Sequence, residues 1–159
     1  AHHGFKMEIL FYDPYVKSEN LDNLKANSCE SIEELLSKSD FVSLHCPSTK
    51  ETQGLINYNT LKKMKETAYL INTARGDIVV ESDLVKALKD DVIKGAGLDV
   101  LPFEKSSFEQ LDHNPQLQQL IDNPKILLSP HVAGWPHQSK ERLAQVIVDK
   151  VKERFFKRN

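Results

Sequence analysis

Short apolar runs alternate along the chain with longer stretches in which apolar residues recur every three or four positions. The short runs are typical of buried strands, and the longer stretches have the spacing of amphipathic helices. The predicted strands cover residues 7–12, 41–44, 68–71, 97–100 and 126–128. One predicted helix begins at Ser31, and the others cover residues 55–64, 82–88, 115–121 and 140–156. Because strands separated by helices form parallel sheets, we predict an α/β fold with a doubly wound parallel sheet.

Local motifs mark where some of these elements begin and end. Asp13 and Pro14 close the first apolar run, and Ser31 followed by Glu34 has the capping-box pattern of a helix start. The Gly95-Ala96-Gly97 segment resembles a phosphate loop, but no third glycine and no helix follow it, so we reject that interpretation. With no internal repeat or linker in view, we predict a single domain over residues 1–159.

Composition narrows the range of partners. The chain has 159 residues, of which 40% are hydrophobic and 28% charged, as in a globular domain. A net charge of -2 and a pI near 6.3 provide no broad positive field for nucleic acid or an anionic membrane. We therefore predict neither as a partner and favour a small molecule.

Cysteine and histidine spacing bears on compartment and metal content. Cys29 and Cys46 are too few for a disulfide framework or a zinc site, which favours a reducing, cytoplasmic location. His45, His113 and His137 show no metal-ligand spacing with His131, so we predict no metal. No apolar run has the length of a membrane span, and the N-terminus lacks the pattern of a signal peptide.

Polar residues follow several predicted strands, where folds of this class keep their chemistry. Asp13 can accept the hydroxyl hydrogens of a dinucleotide ribose, or it can simply form the turn before Pro14. Arg75 can bind a substrate carboxylate through two parallel hydrogen bonds, or it can be a surface arginine in a turn.

Two further residues have the same ambiguity. Asp99 can bind a ligand amide or cap a turn. His131 lies in a loop bounded by Pro130 and Gly134. An acid/base role for it requires that its loop meet the loop of Glu104, and the alternative is a structural histidine.

Five short motifs occur in one order along nearly the whole chain: YDP at 12–14, HCP with Thr52 at 45–52, NTARG at 72–76, GLDV at 97–100 and SPHVAG at 129–134. In order and spacing the chain resembles the NAD-dependent D-isomer-specific 2-hydroxyacid dehydrogenases, and within them the bacterial phosphoglycerate-dehydrogenase-like members. The resemblance implies a Rossmann-type fold, NAD as the cofactor and a small 2-hydroxy or 2-oxo acid as the substrate.

The resemblance also implies catalytic roles. Arg75 corresponds to the arginine that holds the substrate carboxylate and carbonyl, and His131 to the histidine that donates a proton to the carbonyl oxygen while NADH delivers hydride. Glu104 corresponds to the acidic residue that supports the charged histidine by opposite charge and hydrogen bonding. Lys105 stands where the family usually has a proline after this glutamate.

Cofactor contacts follow from the resemblance in the same way. Asp13 is implied at the adenosine ribose, Cys46 and Pro47 at the adenine, and Asp99 at the carboxamide. The full set of implied cofactor-binding residues is Asp13, Cys46, Pro47, Thr73, Ala74, Arg75, Asp99, His131 and Gly134.

The chain departs from the family pattern at its front. The family places a strand, a G-x-G-x-x-G loop and a substrate domain before the region that matches residues 1–4. We therefore expect a partial dinucleotide-binding domain that lacks the first strand and glycine loop, and a fragment that is inactive alone. The family implies a homodimer, and its substrate stays open among several 2-oxo acids. The alternative function is a non-enzymatic, NAD-sensing module of the corepressor type.

Overall fold

Strands and helices alternate along the chain in the computed structural model, which describes residues 2–16, 26–102 and 115–155. The strands are β1 (Ile9–Phe11), β2 (Ala26–Ser28), β3 (Phe41–Leu44), β4 (Tyr69–Asn72), β5 (Gly95–Leu98) and β6 (Ile126–Leu128). The helices are α1 (His2–Phe5), α2 (Ile32–Lys38), α3 (Tyr58–Leu61), α4 (Glu81–Lys89), α5 (Pro115–Ile121) and α6 (His137–Phe155). A 3-10 turn, Gly76–Ile78, lies between β4 and α4.

All strand pairs in the described residues are parallel. One sheet has the order β3-β4-β5-β6, and a second pairs β1 with β2. The predicted α/β fold with a parallel sheet of the Rossmann type is confirmed. Because the strands of each sheet run in one direction, their carboxyl ends share one edge, and the loops that follow them lie side by side.

Several predicted boundaries need correction. The helix predicted over 55–64 begins only at Tyr58, because Ile56 forms a parallel bridge with Val79 and Asn57 caps the helix through its side chain. The strand predicted over 97–100 is Gly95–Leu98, which places Asp99 just beyond its end. The rejected phosphate loop is therefore part of β5.

The two faces of the four-stranded sheet differ in what lies on them. The first, which we call the covered face, consists of Val42, Leu44, Leu70, Asn72, Ala96, Leu98, Ile126 and Leu128. Its apolar side chains form one core cluster with residues of α2, α3, α4 and α5, such as Leu36, Leu61, Leu84 and Leu120. The opposite face, the open face, consists of Phe41, Ser43, Tyr69, Ile71, Gly95, Gly97 and Leu127.

The β1–β2 pair lies apart from the four-stranded sheet in the hydrogen-bonding pattern. Within the described segments, β1 pairs only with β2, and β3 pairs only with β4, so each has one edge without a strand partner. The loop after β1 still reaches the loop after β3, because the Tyr15 hydroxyl donates to Glu51 Oε2 at 2.8 Å. Across the described part of the chain, no helix is both long and apolar enough to cross a membrane.

Candidate functional site

The sequence-predicted site residues follow five strands whose carboxyl ends open onto loops. Asp13 follows β1 and Cys46 follows β3. Arg75, Asp99 and His131 follow β4, β5 and β6, which are adjacent in the sheet. Glu104 lies outside the described residues. The structure therefore places Arg75 and His131 on loops two strands apart, with Asp99 directly after the strand between them.

The Asn72 side chain holds the turn that carries Arg75 through two hydrogen bonds. The Asn72 side chain is 1% exposed, and its amide donates to the Arg75 carbonyl at 2.9 Å. Its Oδ1 accepts a hydrogen bond from the Ala74 amide at 3.0 Å. Arg75 itself is exposed, and its Nη1 donates to the Ala74 carbonyl at 2.6 Å. A guanidinium has five N–H donors, so this arrangement leaves capacity for an external carboxylate.

Sequence reasoning missed the role of Asn72. A polar residue at the end of an apolar strand was the available sign, since a buried amide must satisfy its hydrogen-bonding groups. Asn72 does so entirely within the turn that follows it.

Gly76 sets the distance between the Arg75 turn and the loop after β5. It is buried, and a Cβ atom at this position would overlap the backbone of Leu101 and Pro102. Only glycine allows this approach. The turn that carries Arg75 is therefore packed against the start of the segment that continues to Glu104.

Asp99 accepts hydrogen bonds from the loop that carries His131. The carboxylate is 5% exposed; its Oδ1 accepts from the Ser129 hydroxyl at 2.5 Å and the Val132 amide at 3.0 Å, and its Oδ2 from the Ala133 amide at 2.9 Å. Burial alone would raise the pKa of Asp99, but these hydrogen bonds and the nearby positive charge of His131 hold it below its ordinary value. Asp99 is therefore an ionised group inside the site that accepts hydrogen bonds from three donors of the His131 loop.

His131 is exposed and has an unusual backbone. Its φ is 53°, in the left-handed region that few residues other than glycine adopt. Gly134 lies farther along the same loop, and a Cβ atom there would meet nothing within 4 Å. The predicted cofactor contact of Gly134 therefore stays a prediction, since no packing within the described chain requires a glycine there.

Asp13 and Cys46 follow strands of different sheets, and the charge of Asp13 acts on the Cys46 thiol. Burial raises the pKa of the Cys46 thiol, and the negative charge of Asp13 raises it further. A raised pKa keeps the thiol neutral. A neutral thiol fits a cofactor contact made by the backbone of Cys46 better than one made by a thiolate. Asp13 Oδ1 also accepts the Tyr15 amide at 2.8 Å, so the alternative turn-forming role is present in the structure. Its two carboxylate oxygens can serve both a turn and a ligand.

The loop around Pro47 is fixed by Thr52, whose hydroxyl donates to the Pro47 carbonyl at 2.6 Å. Thr73 is exposed and Ala74 is half-buried, in the turn held by Asn72. In the segments that the structure describes, no group of three or more His, Cys, Asp or Glu side chains could hold a metal ion.

Comparison with known proteins identifies relatives of this arrangement. Residues 1–133 match the profile of the family described as D-isomer specific 2-hydroxyacid dehydrogenase, NAD binding domain. A glyoxylate reductase of Korarchaeum cryptofilum is 40% identical over 146 residues, which are 92% of this chain and 41% of that protein. A hydroxypyruvate reductase of Blautia hydrogenotrophica is 36% identical over 92% of this chain and 42% of its own length.

Solved structures give the same picture. The D-isomer specific 2-hydroxyacid dehydrogenase of Lactobacillus delbrueckii ssp. bulgaricus, complexed with NAD, matches 96% of this chain and 47% of its own, with a TM-score of 0.75 and 30% identity. The D-lactate dehydrogenase of Aquifex aeolicus, complexed with NAD and lactic acid, matches 92% of this chain and 45% of its own, with a TM-score of 0.73 and 34% identity. The chain thus spans about two fifths of the length of the curated relatives it matches.

Proposed function

Because the chain belongs to the D-isomer specific 2-hydroxyacid dehydrogenase family, with NAD as the cofactor of the matched domain, we propose that it forms part of an oxidoreductase. The reaction is hydride transfer between NAD(H) and a D-2-hydroxy acid/2-oxo acid pair. The observation that supports this most directly is the placement of Arg75 and His131, two exposed side chains, on anchored loops at one edge of the sheet.

Two of the described site residues offer hydrogen-bond acceptors for separate parts of NAD, the ribose and the carboxamide. Asp13, at the end of β1, offers acceptors to the ribose hydroxyls of NAD, and its charge disfavours an added phosphate there. The buried Asp99 has lone pairs beyond those engaged by the His131 loop, so it can still accept a carboxamide N–H. NAD therefore fits the groups that are present, although the six glycines of the chain form no G-x-G-x-x-G loop.

The chain's own residues then divide the work. Bound NADH supplies the hydride. Arg75 holds the substrate carboxylate by two-point hydrogen bonding and orients the adjacent carbonyl. His131, protonated, donates its proton to the carbonyl oxygen, and in the oxidative direction it takes the proton from the hydroxyl. Glu104 supports the charged His131. The proposed catalytic residues are therefore Arg75, Glu104 and His131, as the family resemblance implies.

We propose three further properties that follow the family. The chain is part of a longer protein whose other segments provide the glycine loop and a substrate domain, which its coverage of about two fifths of the relatives supports. That protein is a homodimer, to be checked by sedimentation. The protein is also cytoplasmic in this proposal. Its two free cysteines support a reducing compartment, and cell fractionation is the test.

The experiment that tests the reaction is an NADH oxidation assay on the longer protein with glyoxylate, hydroxypyruvate and pyruvate. His131→Ala should lower kcat by about a hundred- to ten-thousandfold, because general acid/base catalysis has this magnitude. His137→Ala is the matched control, since His137 is an exposed histidine on α6 paired with Glu141, and kcat should not change.

Two outcomes would count against the proposal. Near wild-type kcat in His131→Ala at saturating substrate would show that His131 is not the proton donor. NADH binding without turnover of any 2-oxo acid would favour the sensor alternative instead.

A further inference from the structure

We propose that Asp99 is the positioning residue of the His131 loop: its buried carboxylate fixes the loop conformation that presents His131 to the substrate. That His131 acts on substrate rests on the function proposed above. The conformational role of Asp99 does not, and it applies to the chain before any ligand binds.

The His131 backbone needs an external constraint. A φ of 53° is unfavourable for a residue with a Cβ atom, and such conformations persist where surrounding contacts determine them. Within the loop, the His131 amide donates to the Ser129 carbonyl at 3.0 Å, and the Trp135 amide donates to the Val132 carbonyl at 2.9 Å. The loop is exposed throughout, so packing contributes little to its shape.

Asp99 supplies the constraint from both sides of His131. The Ser129 hydroxyl reaches Oδ1 from before the histidine, and the amides of Val132 and Ala133 reach Oδ1 and Oδ2 from after it. Successive amides form an anion-binding concavity where the backbone passes through a left-handed residue, and the left-handed His131 directly precedes these two amides. Hydrogen bonds to a charged acceptor are about twice as strong as neutral ones.

Backbone hydrogen bonds tie Asp99 and Ser129 to the sheet. The Asp99 amide donates to the Asn72 carbonyl at 2.9 Å, and the Ser129 amide donates to the Leu98 carbonyl at 3.0 Å. Asn72 and Asp99 are the two buried polar or charged residues in the described segments. Since Asn72 fixes the Arg75 turn, the Asp99–Asn72 hydrogen bond ties the two functional loops to one frame.

This geometry separates the interpretations of Asp99 that the sequence left open. A turn-capping aspartate binds amides within a few residues of itself, whereas the partners of Asp99 are 30 to 34 residues away, on the loop of the neighbouring strand. A purely cofactor-binding aspartate would have no reason to engage three donors of that loop.

The test is hydrogen exchange of the 159-residue chain without NADH. Asp99→Asn replaces one acceptor oxygen by an NH₂ group, so at least one loop donor loses its partner. Protection of the Val132 and Ala133 amides should fall about tenfold or more, as expected for loss of one hydrogen bond to a charged group. Ser129→Ala should give a smaller loss and Ser129→Thr should restore protection. Asp40→Asn, an exposed aspartate paired with Lys65, is the control.

A kinetic measurement on the longer protein completes the test. Misplacement of His131 should lower kcat of Asp99→Asn by about ten- to a hundredfold. A raised KM for NADH with unchanged kcat and unchanged loop protection would show a cofactor contact alone and overturn the proposal. Unchanged protection in both Asp99→Asn and Ser129→Ala would overturn it even if Asp99→Asn kinetics changed. A wild-type protein without turnover would contradict the proposed function but leave the exchange result valid.

Discussion

On the covered face of the four-stranded sheet, side chains pack beneath four helices, whereas on the open face they meet solvent. Leu70 and Tyr69 are neighbours in β4, yet Leu70 is 0% exposed and Tyr69 is 39% exposed. Phe41 and Leu127, also on the open face, are 52% and 76% exposed. The difference between neighbours comes from side-chain alternation along a strand and from which face the described helices cover.

The open face is nevertheless apolar, and this distinguishes it from the solvent face of an antiparallel sheet. Strands of parallel sheets are normally covered on both faces and therefore carry apolar residues on both. Phe41 and Tyr69 stack there with ring centroids 5.5 Å apart. The sequence of β3 and β4 is thus suited to two covered faces, while the described chain covers one.

The largest expected effect on stability comes from truncating a side chain of the covered face. Leu70→Ala should lower the free energy of unfolding by about 2–5 kcal/mol, because it leaves a cavity in a packed core. Tyr69→Ala, one residue away on the open face, should cost about 1 kcal/mol, the loss of its stacking on Phe41. Urea denaturation of the 159-residue chain measures both, and equal losses would show that the open face is covered in solution.

A second effect concerns charge on the covered side of the sheet, where the first residue of α4 is a half-buried glutamate. Glu81 Oε1 is buried with no hydrogen-bond partner in the described segments, and burial raises the pKa of Glu81 to about 7. A carboxyl whose folded pKa lies above its unfolded value costs stability as pH rises between the two values, and the full cost is present above pH 7.

Glu81→Gln should therefore raise the free energy of unfolding by on the order of 1–3 kcal/mol at pH 8, a range that already allows for solvent screening of the half-buried carboxylate. At pH 4, where the carboxyl is protonated in the folded chain, the gain should be much smaller. The control is Glu33→Gln, an exposed glutamate in the first turn of α2, which should have little effect at either pH. Urea titrations at the two pH values decide the matter; a benefit of Glu81→Gln that does not depend on pH would rule out the electrostatic cause.

The smallest effect sharpens the description of the open face. A Cβ atom at Gly97 would meet nothing within 4 Å, so Gly97→Ala should stabilise this chain by about 0–1 kcal/mol through lower unfolded-state entropy. A Cβ atom at Gly95 would lie 2.9 Å from the Lys125 carbonyl oxygen and 3.0 Å from the Tyr69 ring, so Gly95→Ala should destabilise it. Thermal unfolding of the two variants compares them, and destabilisation by Gly97→Ala would mean that another group already lies over β5.

The sequence predicted the strands and helices whose apolar pattern is strong, and it failed where other forces decide. β2 escaped prediction because Ala26–Ser28 has no apolar run and is held by pairing with β1. The Ser31 cap was predicted correctly, since the Ser31 hydroxyl accepts the Glu34 amide at 3.2 Å, but the Glu34 side chain accepts the Glu30 amide at 2.8 Å where a capping box would have the Ser31 amide.

In the candidate site, too, local features could be predicted and features that depend on tertiary contacts could not. The positions of Arg75 and His131 after strands could be predicted from the pattern, because a strand's end is a local property. The partners of Asp99 could not, since they depend on which strands become neighbours. The family motifs indicated Asp99 as a cofactor contact, which stays a prediction, but not its three hydrogen bonds to the neighbouring loop.

In the four-stranded sheet the order of strands in space, β3-β4-β5-β6, is also their order along the chain. Each strand therefore finds its partner in the strand made just before it, and the sheet can grow from one edge as the polypeptide leaves the ribosome. Short sequence separation between partners also lowers the entropy lost in closing each connection. For this sheet, synthesis and assembly can proceed in the same direction.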